Sequence, residues 1–414
     1  MKKKVVVIGG GIVGLSSAFY LRAEGHDVIV LDKGTLSEGA SFVNAGYLTP
    51  SHIIPLAAPG MIYKGLKWMF NSSSPFYIKP RMDADLISWG WKFMRSCSKA
   101  HVQRSLSVIK DINTLSKGLY HEMHESMDFH LEDRGVLMAF QTSKAEKEEF
   151  PVMKAAQDLG LDVSLLGAND VNELQPGVKM NIEGAYHYRC DAHTTPGVFM
   201  NELRDNLISN GVKIYTETEV NAFYLVDKKI KNVITSQGSF EAEEVVFAAG
   251  AWTEKLLKSL KISLSVQAGK GYRINVKTPV GITMPAILME SKVAVTPMQG
   301  FTRFSGTMEI AGINNTIRMN RVEAIAGAAS NYYEGVQLPQ EDLEQAKCGL
   351  RPLSPDGLPF IGRHSSCENL VMATGHAMMG WSLGPGTGKL VSELISDKKA
   401  SMNINAFSPE RKYG

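Results

Sequence analysis

The opening of the chain constrains the fold more than any other stretch, because a strand, a glycine turn, a helix and an acid follow one another at fixed spacing. Residues 5–8 are Val-Val-Val-Ile, an apolar run typical of a parallel strand buried on both faces. Gly9, Gly11 and Gly14 follow as GxGxxG, and apolar residues then recur at helical spacing. A second apolar stretch ends at Asp32, 18 residues after Gly14. This order predicts a β-α-β unit.

Each of these residues has a physical role in binding a dinucleotide. The first glycine permits a tight turn, the second lets a pyrophosphate approach the backbone, and the third lets the helix approach the sheet. The helix N-terminus offers N–H groups to the phosphates, and Asp32 can accept hydrogen bonds from ribose hydroxyls. A lone GxGxxG is weak evidence, but the complete arrangement predicts an adenine-dinucleotide site.

Composition sets broad limits on the kind of protein. A chain of 414 residues is long enough for two joined domains, and a net charge of +2 does not suggest a nucleic-acid partner. The four cysteines show no CxxC spacing, which favours free thiols in a reducing compartment. The first apolar run is too short for a signal peptide, and there is no run of 18 apolar residues. We therefore expect a cytoplasmic protein, and no metal site is predicted.

One region is much more basic than the chain as a whole. Residues 64–110 contain nine lysines or arginines against two aspartates, and three of the five tryptophans lie at positions 68, 89 and 91. A solvated basic face over a core explains this composition. Peripheral contact with an anionic membrane surface, on the inner face of the cell membrane, explains it as well. The residues leave both interpretations open.

Periodicity along the rest of the chain predicts alternating helices and strands. Residues 262–318 show β-type alternation, which indicates an antiparallel sheet forming one wall of a substrate chamber.

The GPGTG at 384–388 lacks the strand–helix context of a second dinucleotide motif and is discounted. His187 and His193 could face a pocket, but a lone histidine is more often structural. Predicted helices cover most of 56–126, then 144–159, 196–210, 318–335 and 384–395, and predicted strands include 135–142, 162–166, 182–190, 220–226, 231–235, 244–248 and 370–373.

Three stretches carry a family resemblance: the opening unit, VVFAAGAW at 245–252, and GLRPLSPDGLPFIG with TGHAMMGWSLGPGTGKLVSELI near the C-terminus. Together they resemble the FAD-dependent amine and amino-acid oxidoreductases of the D-amino-acid oxidase superfamily. Residues 41–70 look most like the bacterial D-amino-acid dehydrogenases. The resemblance covers nearly the whole chain in order.

The resemblance implies an α/β fold in which a Rossmann-type FAD-binding domain is interleaved with an α+β substrate domain built on an antiparallel sheet. It assigns residues 1–55, 168–260 and 345–414 to the FAD-binding domain, and 56–167 and 261–344 to the substrate domain. Cys348 lies one residue out of register with the position where some relatives attach flavin, so FAD is expected to be noncovalent. The implied FAD contacts are Gly9, Gly11, Ile12, Val13, Gly14, Asp32, Lys33, Ser41, Asn44, Ala45, Gly46, Leu48, Val220, Ala249, Gly250, Trp252, Gly375, Met379, Gly380, Trp381 and Ser382.

The resemblance also implies the catalytic residues. Arg351 takes the position that binds the substrate α-carboxylate, a task that suits a bidentate guanidinium. Tyr272 is the candidate for a second carboxylate or amine contact, and His376 lies in the loop beside the flavin. A hydride would pass from Cα to flavin N5, the imino acid would hydrolyse to a keto acid and ammonia, and a quinone or other carrier would accept the electrons.

Departures from the family pattern leave the substrate open. Ala377-Met378-Met379 follows His376 where relatives have small or hydroxyl residues, and Tyr47 and His52 replace commoner residues near the flavin. A cyclic amino acid such as proline or hydroxyproline therefore fits as well as a D-amino acid. The alternatives are an oxygen-using oxidase of glycine or N-methylated amino acids, and a non-catalytic flavin-binding subunit.

Overall fold

The computed structural model describes residues 1–61 and 75–413, and residues 64–74 of the basic region lie outside that description. The helices are α1 (Ile12–Ala23), α2 (Ala84–Ser96), α3 (Lys99–His124), α4 (Ser143–Asp158), α5 (Ala168–Leu174), α6 (Pro196–Ser209), α7 (Thr253–Leu257), α8 (Met319–Tyr332), α9 (Gln340–Glu344) and α10 (Gly384–Ile395). The strands are β1 (Lys4–Ile8), β2 (Asp27–Leu31), β3 (Tyr47–Leu48), β4 (Phe76–Ile78), β5 (Leu131–Glu132), β6 (Val136–Phe140), β7 (Val163–Gly167), β8 (Gly184–Tyr188), β9 (Ala192–Thr194), β10 (Lys213–Tyr215), β11 (Val220–Val226), β12 (Lys229–Thr235), β13 (Gly238–Glu241), β14 (Glu244–Phe247), β15 (Gln267–Val276), β16 (Ala286–Leu288), β17 (Val293–Met298), β18 (Phe301–Ile310), β19 (Lys347–Leu353), β20 (Phe360–His364) and β21 (Cys367–Thr374).

The first sheet has the order β10-β2-β1-β14-β21-β20, and all neighbours except β20 and β21 are parallel. Strand β1 is buried on both faces, as its apolar run predicts. Val5 and Val7 join a core with helices α1, α3, α6 and α10, whereas Val6 and Ile8 pack with the separate sheet β11-β12-β13. The predicted β-α-β unit is thus confirmed.

The second sheet has the order β19-β15-β18-β17-β16-β6-β8-β7, with β4 also pairing with β18. Neighbours are antiparallel except β16 with β6 and β4 with β18, so the predicted antiparallel wall is present. Helix α8 packs on one face through Val322 and Ile325. Strands β8 and β19 belong to this sheet, although their residues fall in the 168–260 and 345–414 segments predicted for the FAD-binding domain. Strand pairing therefore places residues 184–188 and 347–353 in the second sheet.

Within the described part of 56–126, α2 and α3 supply the predicted helices, and the short strand β4 precedes them. GPGTG is not a strand–glycine–helix turn, as expected, because residues 375–383 separate it from the end of β21 and it forms the first turn of α10. Its glycines serve helix packing. A Cβ on Gly384 would lie 2.5 Å from a side-chain carbon of Ile12, and one on Gly388 would lie 2.5 Å from the backbone of Ser16. Small residues here bring α10 close to α1.

Helix α8 and the β11-β12 hairpin lie where they were predicted. All four cysteines are free, as their spacing predicts. Within residues 1–61 and 75–413, no helix is both long and apolar enough to cross a bilayer.

Candidate active site

A cavity of about 1550 Å³ extends from the β1–α1 turn to strand β19. This volume exceeds the usual range for a single small ligand, so a dinucleotide and a substrate can share it. Arg351, Tyr272 and His376 line the cavity, as do most of the predicted FAD contacts. The exceptions do not line it and lie behind its walls: Gly14, Gly46, Leu48 and Gly375.

The β1–α1 turn requires its glycines for steric reasons. Gly9 has a φ of +106°, and a Cβ there would lie 2.4 Å from the carbonyl oxygen of Ala248. A Cβ on Gly14 would lie 1.8 Å from the carbonyl oxygen of Gly9. Gly11 caps α1 without a side chain, so the first turn of the helix is open to the cavity. This surface suits a pyrophosphate.

The end of β2 forms the nucleotide end of the cavity. The Asp32 carboxylate accepts hydrogen bonds from the N–H groups of Gly10 and Gly34, at 2.6 and 2.7 Å, which fixes the acid beside the turn. Lys33 Nζ lies 3.7 Å from the centre of the Trp252 ring, a cation–π contact that connects β2 to the segment after β14. Burial lowers the pKa of the Lys33 ammonium. The arrangement fits an adenosine-bearing ligand.

The loop between β21 and α10 is fixed by hydrogen bonds from elements far away in sequence. Trp381 Nε1 donates to Thr194 Oγ1 at 2.9 Å, and the Tyr120 hydroxyl donates to the Trp381 carbonyl at 2.8 Å. The Ser382 hydroxyl donates to Asn113 Oδ1 at 2.6 Å and accepts the Thr49 N–H. These bonds hold the loop rigidly against the cavity.

Arg351 is a partly buried cation in the cavity wall. Its Nη1 donates to the Thr307 carbonyl at 2.8 Å, and no carboxylate pairs with it among the described residues. The guanidinium lies over Gly271, where a Cβ would be 2.2 Å from Nη1. Burial lowers the pKa of Arg351 to about 10, so the group stays charged at neutral pH. A partly buried cation without a counter-ion is suited to an anionic ligand.

A β-bulge in β18 directs the Thr307 carbonyl toward Arg351. From Lys270 to Tyr272 strand β15 advances two residues, whereas β18 advances three, from Glu309 to Gly306. Thr307 lies in this bulge with a φ of +71°, a strained value for threonine. Bulges reorient groups in this way next to functional sites.

Tyr272, the candidate for a second substrate contact, lines the cavity, but its side chain does not lie on the face of the sheet that carries Arg351. Along β15, Gly271 lies on the face of Arg351, and Tyr272 therefore points to the opposite face. There it joins the core beneath α8, and its hydroxyl donates to Glu309 at 2.8 Å. The strand alternation thus directs this side chain away from Arg351.

His376 borders the cavity, but its ring is engaged elsewhere. The Nε2 atom is 2.9 Å from Thr387 Oγ1, and burial lowers the pKa of His376 to about 3. The imidazole is therefore neutral throughout the usual pH range, and it positions the loop rather than exchanging protons. His187 and His193 do not line the cavity, and His187 bonds to the Arg134 carbonyl.

A second guanidinium, which no sequence pattern indicated, lies in the cavity wall. Arg273 lies on the Gly271 face of β15 and lines the cavity, and its Nε has no hydrogen-bond partner among the described residues. Arg303, beside it, donates to the carbonyls of Phe42 and Asn44, and burial together with Arg273 lowers the pKa of Arg303 to about 9. Arg273 and Arg303 therefore add positive charge to the wall that contains Arg351. Only the strand register reveals this.

Comparison with known proteins agrees with this geometry. A family model described as FAD dependent oxidoreductase matches residues 4–394. The chain belongs to this family. It is 32% identical to a D-amino acid dehydrogenase of Helicobacter pylori over 409 residues, 98% of each chain. It is also 32% identical over 421 residues to a D-amino acid dehydrogenase of Neisseria meningitidis serogroup C / serotype 2a, covering 99% of each.

Solved structures share the fold over the full length of this FAD-dependent oxidoreductase. A glycine oxidase from Geobacillus kaustophilus superposes with a TM-score of 0.75 at 24% identity, covering all of both chains. An L-proline dehydrogenase from P. horikoshii gives a TM-score of 0.73 at 18% identity, covering 99% and 97%. The D-amino-acid oxidase-like fold and the FAD cofactor are confirmed, and the glycine cradle at Gly9 and the Asp32 side chain fit that cofactor.

The attachment of FAD is a separate prediction. Cys348 is opposite Tyr272 in the sheet, so its thiol points away from Arg351, and Sγ lies 3.6 Å from the Asn315 carbonyl. We therefore expect acid precipitation to release all the flavin into the supernatant, and C348S to keep full flavin content. Flavin absorbance in the pellet and the supernatant measures both, with C97S as a control. A yellow pellet from the native protein that becomes colourless in C348S would contradict noncovalent binding.

Proposed function

We propose that this FAD-dependent oxidoreductase dehydrogenates D-amino acids and passes the electrons to a quinone or another carrier. The observation that carries the proposal is Arg351, a partly buried guanidinium that faces the cavity without a carboxylate partner among the described residues. An amino acid brings the missing carboxylate. Full-length similarity to two D-amino acid dehydrogenases supports the D-configuration.

Arg351 binds the substrate, and His376 leaves the site without a competing charge. Arg351 binds the α-carboxylate through two parallel N–H bonds and so fixes Cα, while the Thr307 carbonyl holds the guanidinium in place. His376 stays neutral, so no charge on this ring competes with Arg351 for the substrate. FAD, when bound, supplies the two-electron acceptor. The substrate reacts with its amine neutral, and the chain needs no acid–base group for that step.

Anaerobic titration tests the proposal directly. We expect D-amino acids to bleach the flavin absorbance, whereas their L-enantiomers leave it oxidised. Glycine, sarcosine, L-proline and hydroxyproline in the same panel identify the alternative substrates. Reoxidation by a quinone analogue or a dye, compared with peroxide release in air, then identifies the acceptor. Bleaching by L-enantiomers or by N-methyl amino acids alone would reject the D-amino-acid assignment.

We further propose that helix α2 docks on an anionic membrane, the source of a quinone acceptor. Ile87, Trp91 and Met94 follow one another at helical spacing and are 61%, 61% and 44% exposed. The opposite face of α2 packs through Trp89 against Leu353, near the cavity wall. Basic residues dominate the surrounding sequence and complement anionic lipid headgroups.

Vesicle co-sedimentation tests this docking surface. We expect binding to vesicles with anionic lipid and less binding to zwitterionic ones. Replacing Ile87 and Trp91 by serine should weaken binding about tenfold or more, since burying each such side chain contributes about 1.5–3 kcal/mol. The matched control replaces Phe150 and Ile208, which are 53% and 54% exposed on other helices. Equal binding by the two double variants would reject this surface.

A further inference from the structure

Two histidines and a glutamate meet outside the FAD cavity. Glu132 on β5 is the register partner of His193 on β9, and His130 precedes Glu132 by two residues. None of the three lines the cavity. One nitrogen or oxygen from each lies within 4.8 Å of the others. Residues 133–191 separate the two strands, so the sequence alone did not show this cluster.

The central observation is the state of His193. Its side chain is completely buried, and neither ring nitrogen has a hydrogen-bond partner among the described residues. The Pro297 carbonyl lies near the ring. A buried imidazole without a partner is rare and costly. A bound cation would satisfy one of these nitrogens.

The distances around Glu132 match a shared ion. His193 Nε2 is 3.9 Å from Glu132 Oε2, too far for a hydrogen bond. His130 Nε2 is 3.0 Å from Glu132 Oε1. Two ligands of a tetrahedral zinc ion are about 3.3 Å apart, so the observed separations lie on either side of this value.

His130 also has the outer partner that metal-binding histidines need. Its Nδ1 is 3.0 Å from Thr195 Oγ1, and that hydroxyl accepts the Gln299 N–H at 2.9 Å. A hydrogen bond to the second ring nitrogen fixes the tautomer and aims the first nitrogen at the metal. The Glu132 side chain is 42% exposed, which gives an ion access from solvent.

We propose that His130, Glu132 and His193 bind a divalent transition-metal ion of the zinc type, with water in the fourth position. Two imidazoles and one carboxylate are a ligand set that suits zinc. The ion would join β5 to β9. Because Thr194 on β9 holds Trp381, the site would stiffen the wall of the FAD cavity.

Cobalt titration of the untagged, chelator-treated holoenzyme tests the site, with visible absorption beyond the flavin bands and the melting temperature as readouts. We expect one equivalent of Co²⁺ to bind, with intense tetrahedral bands and a higher melting temperature. Thr195→Val should weaken binding about 10- to 100-fold. Glu132→Gln should weaken it further, and His193→Gln should abolish it.

Glu125→Gln, an exposed neighbour outside the cluster, is the matched control and should bind like the native protein. Glu132→Gln decides the outcome if His193→Gln does not fold, because Glu132 is partly exposed. Absence of stoichiometric Co²⁺ bands in the native protein would overturn the proposal. Binding that is unchanged in Glu132→Gln would overturn it as well, since the ion would then lie elsewhere.

Discussion

Arg351→Ala should weaken amino-acid binding by about 2–4 kcal/mol, roughly a 30- to 700-fold rise in the dissociation constant. The substrate carboxylate would then be buried without a cation, and a desolvated charge without a partner is costly. Flavin content should not change, because Arg351 belongs to the second sheet and the β1–α1 turn is untouched. Anaerobic flavin reduction over a range of substrate concentrations measures the effect, and the flavin spectrum verifies cofactor retention.

Two further variants separate the charge of Arg351 from its geometry. Arg351→Lys keeps a cation but loses the bidentate fork, so binding should be intermediate. Gly271→Ala places a Cβ at 2.2 Å from Nη1, so it should displace the guanidinium and weaken binding with the charge intact. Arg189→Ala, which removes a surface pair with Asp162, is the control and should have little effect. Native reduction kinetics in Arg351→Ala would remove Arg351 from the substrate site.

Gly14→Ala should abolish FAD binding and destabilise the fold. The new methyl group would lie 1.8 Å from the Gly9 carbonyl oxygen, and both atoms belong to a turn that cannot move without shifting α1 or β1. We expect a colourless protein with a lower melting temperature. Absorbance at the flavin bands and thermal unfolding followed by circular dichroism measure the two effects.

Gly118→Ala is the matched control for that substitution. Gly118 lies within α3, and a Cβ there has no neighbour within 4 Å. Alanine favours a helix over glycine by about 1 kcal/mol, so this variant should keep its flavin and unfold at the same temperature or slightly above. A yellow Gly14→Ala protein with native stability would show that the turn tolerates a side chain and would weaken the assignment of the FAD cradle.

The sequence predicted the parts of the structure that depend on local pattern. The β-α-β unit around Gly9 and Asp32 carries its own periodicity and spacing, and so does helix α8. The domain boundary predicted at residue 168 falls between strands that pair in the structure. Strand β8 lies after it and joins β6 and β7 through long-range hydrogen bonds, which leave no local signal in the sequence.

The site shows the same division between local and long-range information. Arg351 was found through its family motif, and it lines the cavity. Which face of β15 Tyr272 occupies could not be predicted, because neighbouring residues of a strand point to opposite faces and the sequence does not give the pairing. Neither the bulge at Thr307 nor the pair of Arg273 and Arg303 could be predicted, since both depend on which strands are neighbours.

The strand order of the first sheet has a consequence for biosynthesis. Strand β1 is synthesised well before two strands of its sheet: its neighbour β14 comes some 240 residues later, and β21 follows β14 along the chain. Such distant pairings form slowly, since a long loop must close before any contact is gained. The nascent N-terminus must therefore keep an apolar β-α-β unit from aggregating through most of translation. Folding of the coenzyme-binding layer is therefore completed only after β20 and β21 have left the ribosome.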